Sequence, residues 1–315
     1  MNYRVGLIVP TLNAGGRWQD WLERANRQSL SPARKLVIDS GSDDHTPELA
    51  RAHGFEVVSI ARQDFNHGAT RQTASELLDD CDILVYLTQD ALLASSDAVA
   101  RLVAAFDDPD VALAYGRQLP HESAGPIGAH ARLFNYPATG VRKTLADVHR
   151  LGIKTAFCSD SFAAYRRSDL LGVGGFAPNV IFGEDTHAAT RLLLSGKAIH
   201  YVAEADVYHS HDYTMVEDFR RYFDIGVFHA REPWIIAALG TAEGEGFRFL
   251  RSEIYYLLRN APWLLPSALI RVVLKYAAYQ LGKSEKRLSQ SRKQRLSMNR
   301  AFWTADQRSS SSNDT

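Results

Sequence analysis

The segment YLTQDA ends a run of apolar residues on a single carboxylate, Asp90, with Thr88 and Gln89 just before it. Hard divalent cations want several oxygens, but a phosphorylated substrate can supply some of them. One protein carboxylate then suffices if another ligand arrives from elsewhere. YHSHDY offers that ligand: His209 and His211 alternate, as residues on one face of a strand do, and neutral imidazoles ligate metals. FGEDTH puts Glu184 and Asp185 at a helix start, where the helix dipole favours acids and a general base can sit. The GGFAPNVIFG loop before them suits closure over a substrate. FNHGATRQ sets Arg71 in the first turns of a helix, and helix N-terminal amides with a guanidinium suit a diphosphate. DSGSDDHT carries Asp39 and Ser40, which serve as a turn and helix cap as readily as ligand contacts. Each segment has an ordinary explanation on its own: a cap, a turn, a solvated arginine, a structural histidine.

Residues so far apart need a frame that gathers them. Over the first 120 residues short apolar runs alternate with helical spacing. Strands are expected at Val5–Pro10, Lys35–Ile38, Phe55–Ile60, Ile83–Leu87 and Val111–Tyr115. Helices are expected at Trp18–Gln28, Thr46–His53, Ala69–Leu78 and Asp97–Phe106, with Pro47 suited to a first turn. That alternation predicts an α/β chain with an open, mostly parallel sheet and helices on both faces. In such sheets ligands bind outside the carboxyl ends of the strands. Pro10, Thr11 and Asn13 follow the first strand, Asp39 and Ser40 the second, and Thr88, Gln89 and Asp90 the fourth. Residues 120–212 are less regular, with a loop RQLPHESAGPIG, a strand-like TAFCSDSFAAYRR, a helix over Asp185–Leu194 and a strand over Ile199–Val202. From Met215 to about Arg300 the pattern is helical, and RSSSSNDT reads as a disordered tail.

The bulk composition narrows the class. With 36 basic and 36 acidic residues the net charge is zero, which gives no sign of nucleic-acid binding. Two cysteines, Cys81 and Cys158, supply neither a disulfide framework nor a zinc spacing, and a reducing cytosol is the simplest setting. The first turn reads LNAGGR rather than Gly-x-Gly-x-x-Gly, which argues against a dinucleotide-dependent oxidoreductase. Late in the chain, IYYLLRNAPWLLPSALIRVVLKYAAYQL is apolar but broken by Arg259, Pro262, Pro266, Arg271 and Lys275. It lacks the roughly 18 uninterrupted apolar residues of a spanning helix. Arg271 and Lys275 share a helical face near Trp263 and Tyr276, so a segment lying on an anionic inner leaflet is expected. The alternative is a helical dimer interface with a solvated basic face.

The motifs gain meaning from their order. VPTLNAG, DSGSDDHT, FNHGATRQ, YLTQDA, YGRQLP, FNYP, GGF, GEDTH and VYHSHDY make the chain resemble inverting family 2 glycosyltransferases of the GT-A fold over about residues 4–212. The resemblance is closest to the bacterial dTDP-rhamnosyltransferase branch. It implies a GT-A-type, Rossmann-like sheet in residues 1–212, with a nucleotide-sugar half to about 120 and an acceptor half after it. A helical region 213–305, membrane-associating or dimerising, and a tail 306–315 would follow. Asp185 is implied as the base, with Glu184 supporting it. Pro10, Thr11, Asn13, Asp39, Ser40, Arg71, Thr88, Gln89 and Asp90 are implied around the nucleotide sugar. A divalent cation, Mg or Mn, would be held by Asp90 and His209, with His211 the runner-up.

Two departures from the family pattern matter. Common members read Asp-Asp-Gly-Ser at the second strand, where the second acid contacts uracil; Ser40 stands there, which fits a thymidine donor. Common members carry Asp-x-Asp at the fourth strand; Thr88 replaces the first acid. The implied reaction is a single displacement moving L-rhamnose from dTDP-β-L-rhamnose to a hydroxyl of a cell-surface glycan or lipid-linked precursor. It would belong to lipopolysaccharide biosynthesis on the inner face of the bacterial cytoplasmic membrane, with a homo-oligomer through the C-terminal helices as an option. A UDP-hexose transferase of the same fold and a degenerate membrane-bound scaffold are the rivals.

Overall fold

A computed structural model describes residues 3–241 and 244–304, so the expected disordered tail lies outside the described residues. Its strands are β1 (Val5–Thr11), β2 (Arg34–Asp39), β3 (Glu56–Ser59), β4 (Ile83–Leu87), β5 (Leu92–Leu93), β6 (Val111–Leu119), β7 (Val141–Lys143), β8 (Phe162–Arg166) and β9 (Ala198–Tyr208). The helices are α1 (Trp18–Asn26), α2 (Thr46–Ala52), α3 (His67–Leu77), α4 (Ala98–Ala104), α5 (Pro126–Asn135), α6 (Val148–Leu151) and α7 (Arg167–Gly172). They continue with α8 (Glu184–Leu194), α9 (Met215–Arg231), α10 (Pro233–Leu239), α11 (Glu245–Asn260), α12 (Leu265–Lys283) and α13 (Gln290–Leu296).

All the strands join one sheet in the order β3-β2-β1-β4-β8-β6-β9-β5, with β7 paired to β9. The first four strands in that order are parallel, as their continuous apolar runs predict. β8 runs antiparallel to both β4 and β6, so the sheet turns mixed halfway across. The expected strand TAFCSDSFAAYRR shrinks to its second half, because Gly152–Ala156 form a 3-10 turn. The expected strand Ile199–Val202 lengthens through Tyr208, and a register shift against β6 after Gly116 lets it bend toward the site.

Alternation along β1 explains the two-sided core. Leu7 and Val9 pack on one face with Trp18 and Trp21 of α1 and with α2 and α4. Ile8 packs on the other with α3, α7 and α8. The C-terminal helices belong to this second core: Phe223 and Val227 of α9, Ala278 of α12 and the buried Trp303 share it with Tyr86 and Tyr165 of the sheet. α9 and α12 cross closely because each offers a glycine. A methyl on Gly226 would lie 2.2 Å from the Tyr279 carbonyl, and one on Gly282 would lie 2.1 Å from that of Phe223. The region after 213 is thus docked firmly onto the sheet and walls one side of its cleft.

Candidate active site

β4 delivers Asp90 to the carboxyl edge of the sheet, and the bend of β9 brings His209 and His211 against it. His209 Nε2 lies 3.4 Å and His211 Nε2 3.6 Å from one Asp90 oxygen. The two histidines stand just past the end of β9 rather than alternating within it, yet both turn toward the same carboxylate. The ligand atoms of all three residues lie within 4.8 Å of one another, a group that could hold a metal ion. Gln118 of β6 sets the tautomer. Arg132 can only donate, and it donates to Gln118 Oε1 at 2.6 Å, so His209 Nδ1, 2.9 Å from that same oxygen, must carry its proton. Nε2 is therefore the nitrogen left to face Asp90: with a proton it donates to the carboxylate, and without one it can take a cation, the orientation that metal-binding imidazoles require. Burial would raise the Asp90 carboxyl, but its hydrogen bond and proximity to His209, with Thr88 and His211, hold it well below the usual range.

The second acidic group sits at the start of α8. Gly183 enters the helix at φ 72°, a left-handed turn that suits glycine, and places Glu184 and Asp185 in the first turn. Gly68 of α3 lets the preceding loop approach; a Cβ there would lie 2.0 Å from the Ala177 carbonyl. That approach brings Arg71 to Glu184 at 2.5 Å, and Arg71 Nε lies 3.1 Å from Asp160. Tyr165 donates to Asp160 at 2.6 Å. Three carboxyls therefore crowd around one guanidinium. Asp185 bears the excess: burial first, then Glu184 and Asp160, push it up to about 7, against the Thr186 amide and Arg71. Asp185 keeps some accessible surface because it opens on the cleft, while protein encloses it on the other sides.

Both groups face one cavity of about 860 Å³, lined by Thr88, Asp90, Asp185, His209 and His211 among others. Its far wall is the C-terminal region, with Asp218, Arg221 and Tyr222 of α9 and Ser267, Arg271 and Lys275 of α12. These arrangements accompany a clear kinship. Residues 7–173 match glycosyl transferase family 2. The chain belongs to that family. The O-antigen chain rhamnosyltransferase RfbN of Salmonella typhimurium is 47% identical over 98% of each chain. WbaN of Salmonella anatum, another O-antigen chain rhamnosyltransferase, is 45% identical over 97% of each. Among solved structures, the mannosyltransferase PcManGT from Pyrobaculum calidifontis, in complex with GDP-Man and Mn2+, aligns with TM-score 0.56 at 21% identity, covering 97% of this chain and 86% of that one. S. aureus TarS 1–349 in complex with UDP-GlcNAc aligns with TM-score 0.52 at 14% identity, covering 90% of this chain and 91% of that one. Both share the GT-A fold, and the chain is a glycosyltransferase.

The other expected site residues, Pro10, Thr11, Asn13, Asp39, Ser40, Arg71 and Gln89, do not line this cavity. Thr11 donates to Asp39 at 3.0 Å, and Asp39 accepts from the Gly41 and Ser42 amides and the Ser42 hydroxyl. Gln89 clasps Leu12 by both its amide atoms, at 2.8 and 3.1 Å, which ties the β1 turn to the Asp90 segment. Asn13, exposed at φ 46°, accepts from the Asp43 amide. Pro10 sits opposite Ile38, one residue before the β1–β2 register ends at Thr11 and Asp39.

Three expectations change. Ser40 is buried and donates its hydroxyl to the Thr11 carbonyl at 2.8 Å, so it braces the turn instead of offering a side chain to the nucleoside. Arg71 is 4% exposed and committed to two carboxylates, so a diphosphate cannot displace them without leaving buried charges unpaired. Arg271 and Lys275 face inward: Arg271 pairs with the buried Asp218, and Lys275 lies 3.5 Å from its other oxygen. They are cavity residues, and no basic membrane face is built from them. Sequence reasoning missed Gln118, Asp160, Arg132 and Asp218.

Proposed function

We propose that the enzyme transfers L-rhamnose from dTDP-β-L-rhamnose to a hydroxyl of a cell-surface glycan or lipid-linked precursor, in a single inverting displacement. The observation that carries this reading is the shared cavity, with a cation-competent Asp90–His209–His211 group and a carboxyl poised near neutrality, Asp185, on its walls. The rhamnosyl part rests on the two Salmonella relatives, matched over almost their whole length. Asp90, His209 and His211 would hold the cation. Two imidazoles in that set favour Mn over Mg, which prefers an all-oxygen shell. When bound, the cation supplies positive charge to the diphosphate leaving group.

The chain's own residues do the rest. Asp185 takes the proton of the acceptor hydroxyl as that oxygen bonds to the anomeric carbon. The bond to the diphosphate breaks, and the nucleoside diphosphate leaves with the electron pair. Attack from the opposite face turns the β-linked donor into an α-linked product. Glu184 and Asp160 keep Asp185 basic, and Arg71 keeps that acidic group together. The turn built by Thr11, Asp39, Ser40 and Gln89 borders the nucleoside through its backbone.

The enzyme works as a peripheral protein on the inner leaflet in this reading. No helix of the described residues is long and apolar enough to cross a membrane. The α11–α12 hairpin exposes Phe247, Trp263, Val273 and Tyr276, each about two-thirds or more open to solvent. An apolar contact would replace the basic face that the sequence suggested. Flotation with anionic vesicles tests it: Trp263→Asp with Val273→Asp should leave the protein at the bottom of the gradient, and flotation equal to wild type rejects the idea. The donor is tested by offering dTDP-rhamnose, UDP-glucose, UDP-galactose and GDP-mannose with Mn. Preferential release of dTDP is expected; turnover of a hexose donor but not dTDP-rhamnose rejects the assignment.

A further inference from the structure

Four cations line the catalytic cavity: Arg132, Arg221, Arg271 and Lys275. Arg271 and Lys275 are neutralised by Asp218. Arg132 donates to the neutral amide of Gln118 and is tied through it to His209. Arg221 of α9 is different. It makes no hydrogen bond and no ion pair among the described residues, and two aromatic rings hold it instead. Its guanidinium lies 4.9 Å from the centre of Phe182 and 5.6 Å from that of Tyr213. Such faces steady a guanidinium by cation–π attraction and leave its five N–H donors unused.

The two rings lead to the two halves of the site. Phe182 precedes the Gly183–Glu184–Asp185 helix start. Tyr213 stacks on His211, with ring centroids 5.1 Å apart and planes at 23°. Arg221 therefore sits between the base and the cation group. Asp224, one turn along α9, and Glu184 feel its charge, but neither pairs with it among the described residues. A half-buried cation left unpaired in a cleft meant for a sugar nucleotide fits an anion that arrives with the substrate.

We propose that Arg221 grips the terminal phosphate of the donor's nucleoside diphosphate, the part that leaves, and so fills the place that the committed Arg71 cannot. The inference rests on the glycosyltransferase reading above. A diphosphate on a lipid-linked acceptor has the same chemistry, but proximity to the Asp90–His211 group assigns Arg221 to the donor. The grip strengthens as charge builds on the departing oxygen, so it acts on turnover as well as on binding.

Calorimetry of the full-length enzyme with dTDP and with dTMP, in Mn, separates the outcomes. Wild type should bind dTDP more tightly than dTMP. Arg221→Gln should weaken dTDP roughly ten- to a hundredfold, the loss of charge-assisted hydrogen bonds, and leave dTMP nearly unchanged. Arg221→Lys should recover part of the difference, because a point charge still attracts phosphate. Unaltered dTDP binding in Arg221→Gln overturns the inference, as does a defect confined to the KM of a diphosphate-linked acceptor. If wild type binds dTDP, UDP and GDP not at all in Mn, the donor reading itself falls. A melting temperature within a few degrees of wild type for Arg221→Gln shows that any loss is local.

Discussion

Asp90 and Asp185 open on the same cavity and are driven in opposite directions. Asp90 is half exposed and has two imidazoles as its neighbours, which hold it ionised far below neutrality. Asp185 is closely enclosed, with two further carboxyls near it and one shared arginine, and rises to about 7. Environments that pull two like groups apart assign them different work. A carboxylate ionised at every working pH suits a cation, whereas one that gains and loses a proton near neutrality suits a base. The difference comes from the neighbours: Asp90 has partners that stabilise charge, and Asp185 has to share Arg71 with two competing carboxylates.

The contrast breaks most sharply at the base. Asp185→Asn should lower kcat roughly a thousandfold, within the range for a lost general base, with dTDP binding little changed. Normal turnover in that variant removes Asp185 from the mechanism. Asp90→Asn should act on the other function. Mn binding followed by electron paramagnetic resonance should be lost, and transfer should fall by roughly a hundredfold. An Asp90 variant that still binds Mn at wild-type affinity would leave the cation without its supposed anchor. Gln118→Leu sharpens the point without touching a ligand. Freed of its acceptor, His209 can adopt either tautomer, and Mn affinity should drop about tenfold to a hundredfold. Saturating Mn should then restore most of the rate. A variant whose Mn titration overlays wild type shows that the histidine does not need its tautomer fixed.

The sequence revealed these two poles unequally well. Asp90 was legible because apolar strand and polar terminus adjoin in YLTQDA, and ligand sites cluster at such strand ends. Asp185 was legible as an acid at a helix start, and the histidines by their spacing before α9. The first-half strands and helices followed from periodicity, within a few residues at each end. What stayed hidden depends on contacts between distant segments. Gln118 lies within a strand, and nothing local distinguishes it from a solvent-facing residue. Asp160 lies in a turn among serines, and its importance arises only when α3 and α8 close on it. The helical spacing of Arg271 and Lys275 correctly put them on one face, but periodicity does not say which way a face points. Asp218, 53 positions from Arg271, turns that face inward. The pairing of Arg71 was hidden for the same reason: its partners are remote in sequence, and without them an arginine at a helix start looks available.

The smallest effect probes why Asp185 differs from Asp90. Its raised value means that the base is protonated below about pH 7, so transfer should fall about tenfold for each pH unit under that point. Glu184→Gln removes one of the two carboxylates that push Asp185 upward. Gln still offers an oxygen to Arg71, so the guanidinium stays in place with less negative charge around it. Both changes favour the ionised form of Asp185. Its folded value must fall, and the acid limb of the rate profile should move about one unit toward lower pH. A limb that stays where it was in Glu184→Gln means that another group titrates. A limb displaced toward higher pH means that Arg71 has swung away from Asp185, and then the ion pair rather than the repulsion governs the base. The variant thus weighs the two forces that the fold sets against each other at this carboxyl, on an enzyme that should still turn over.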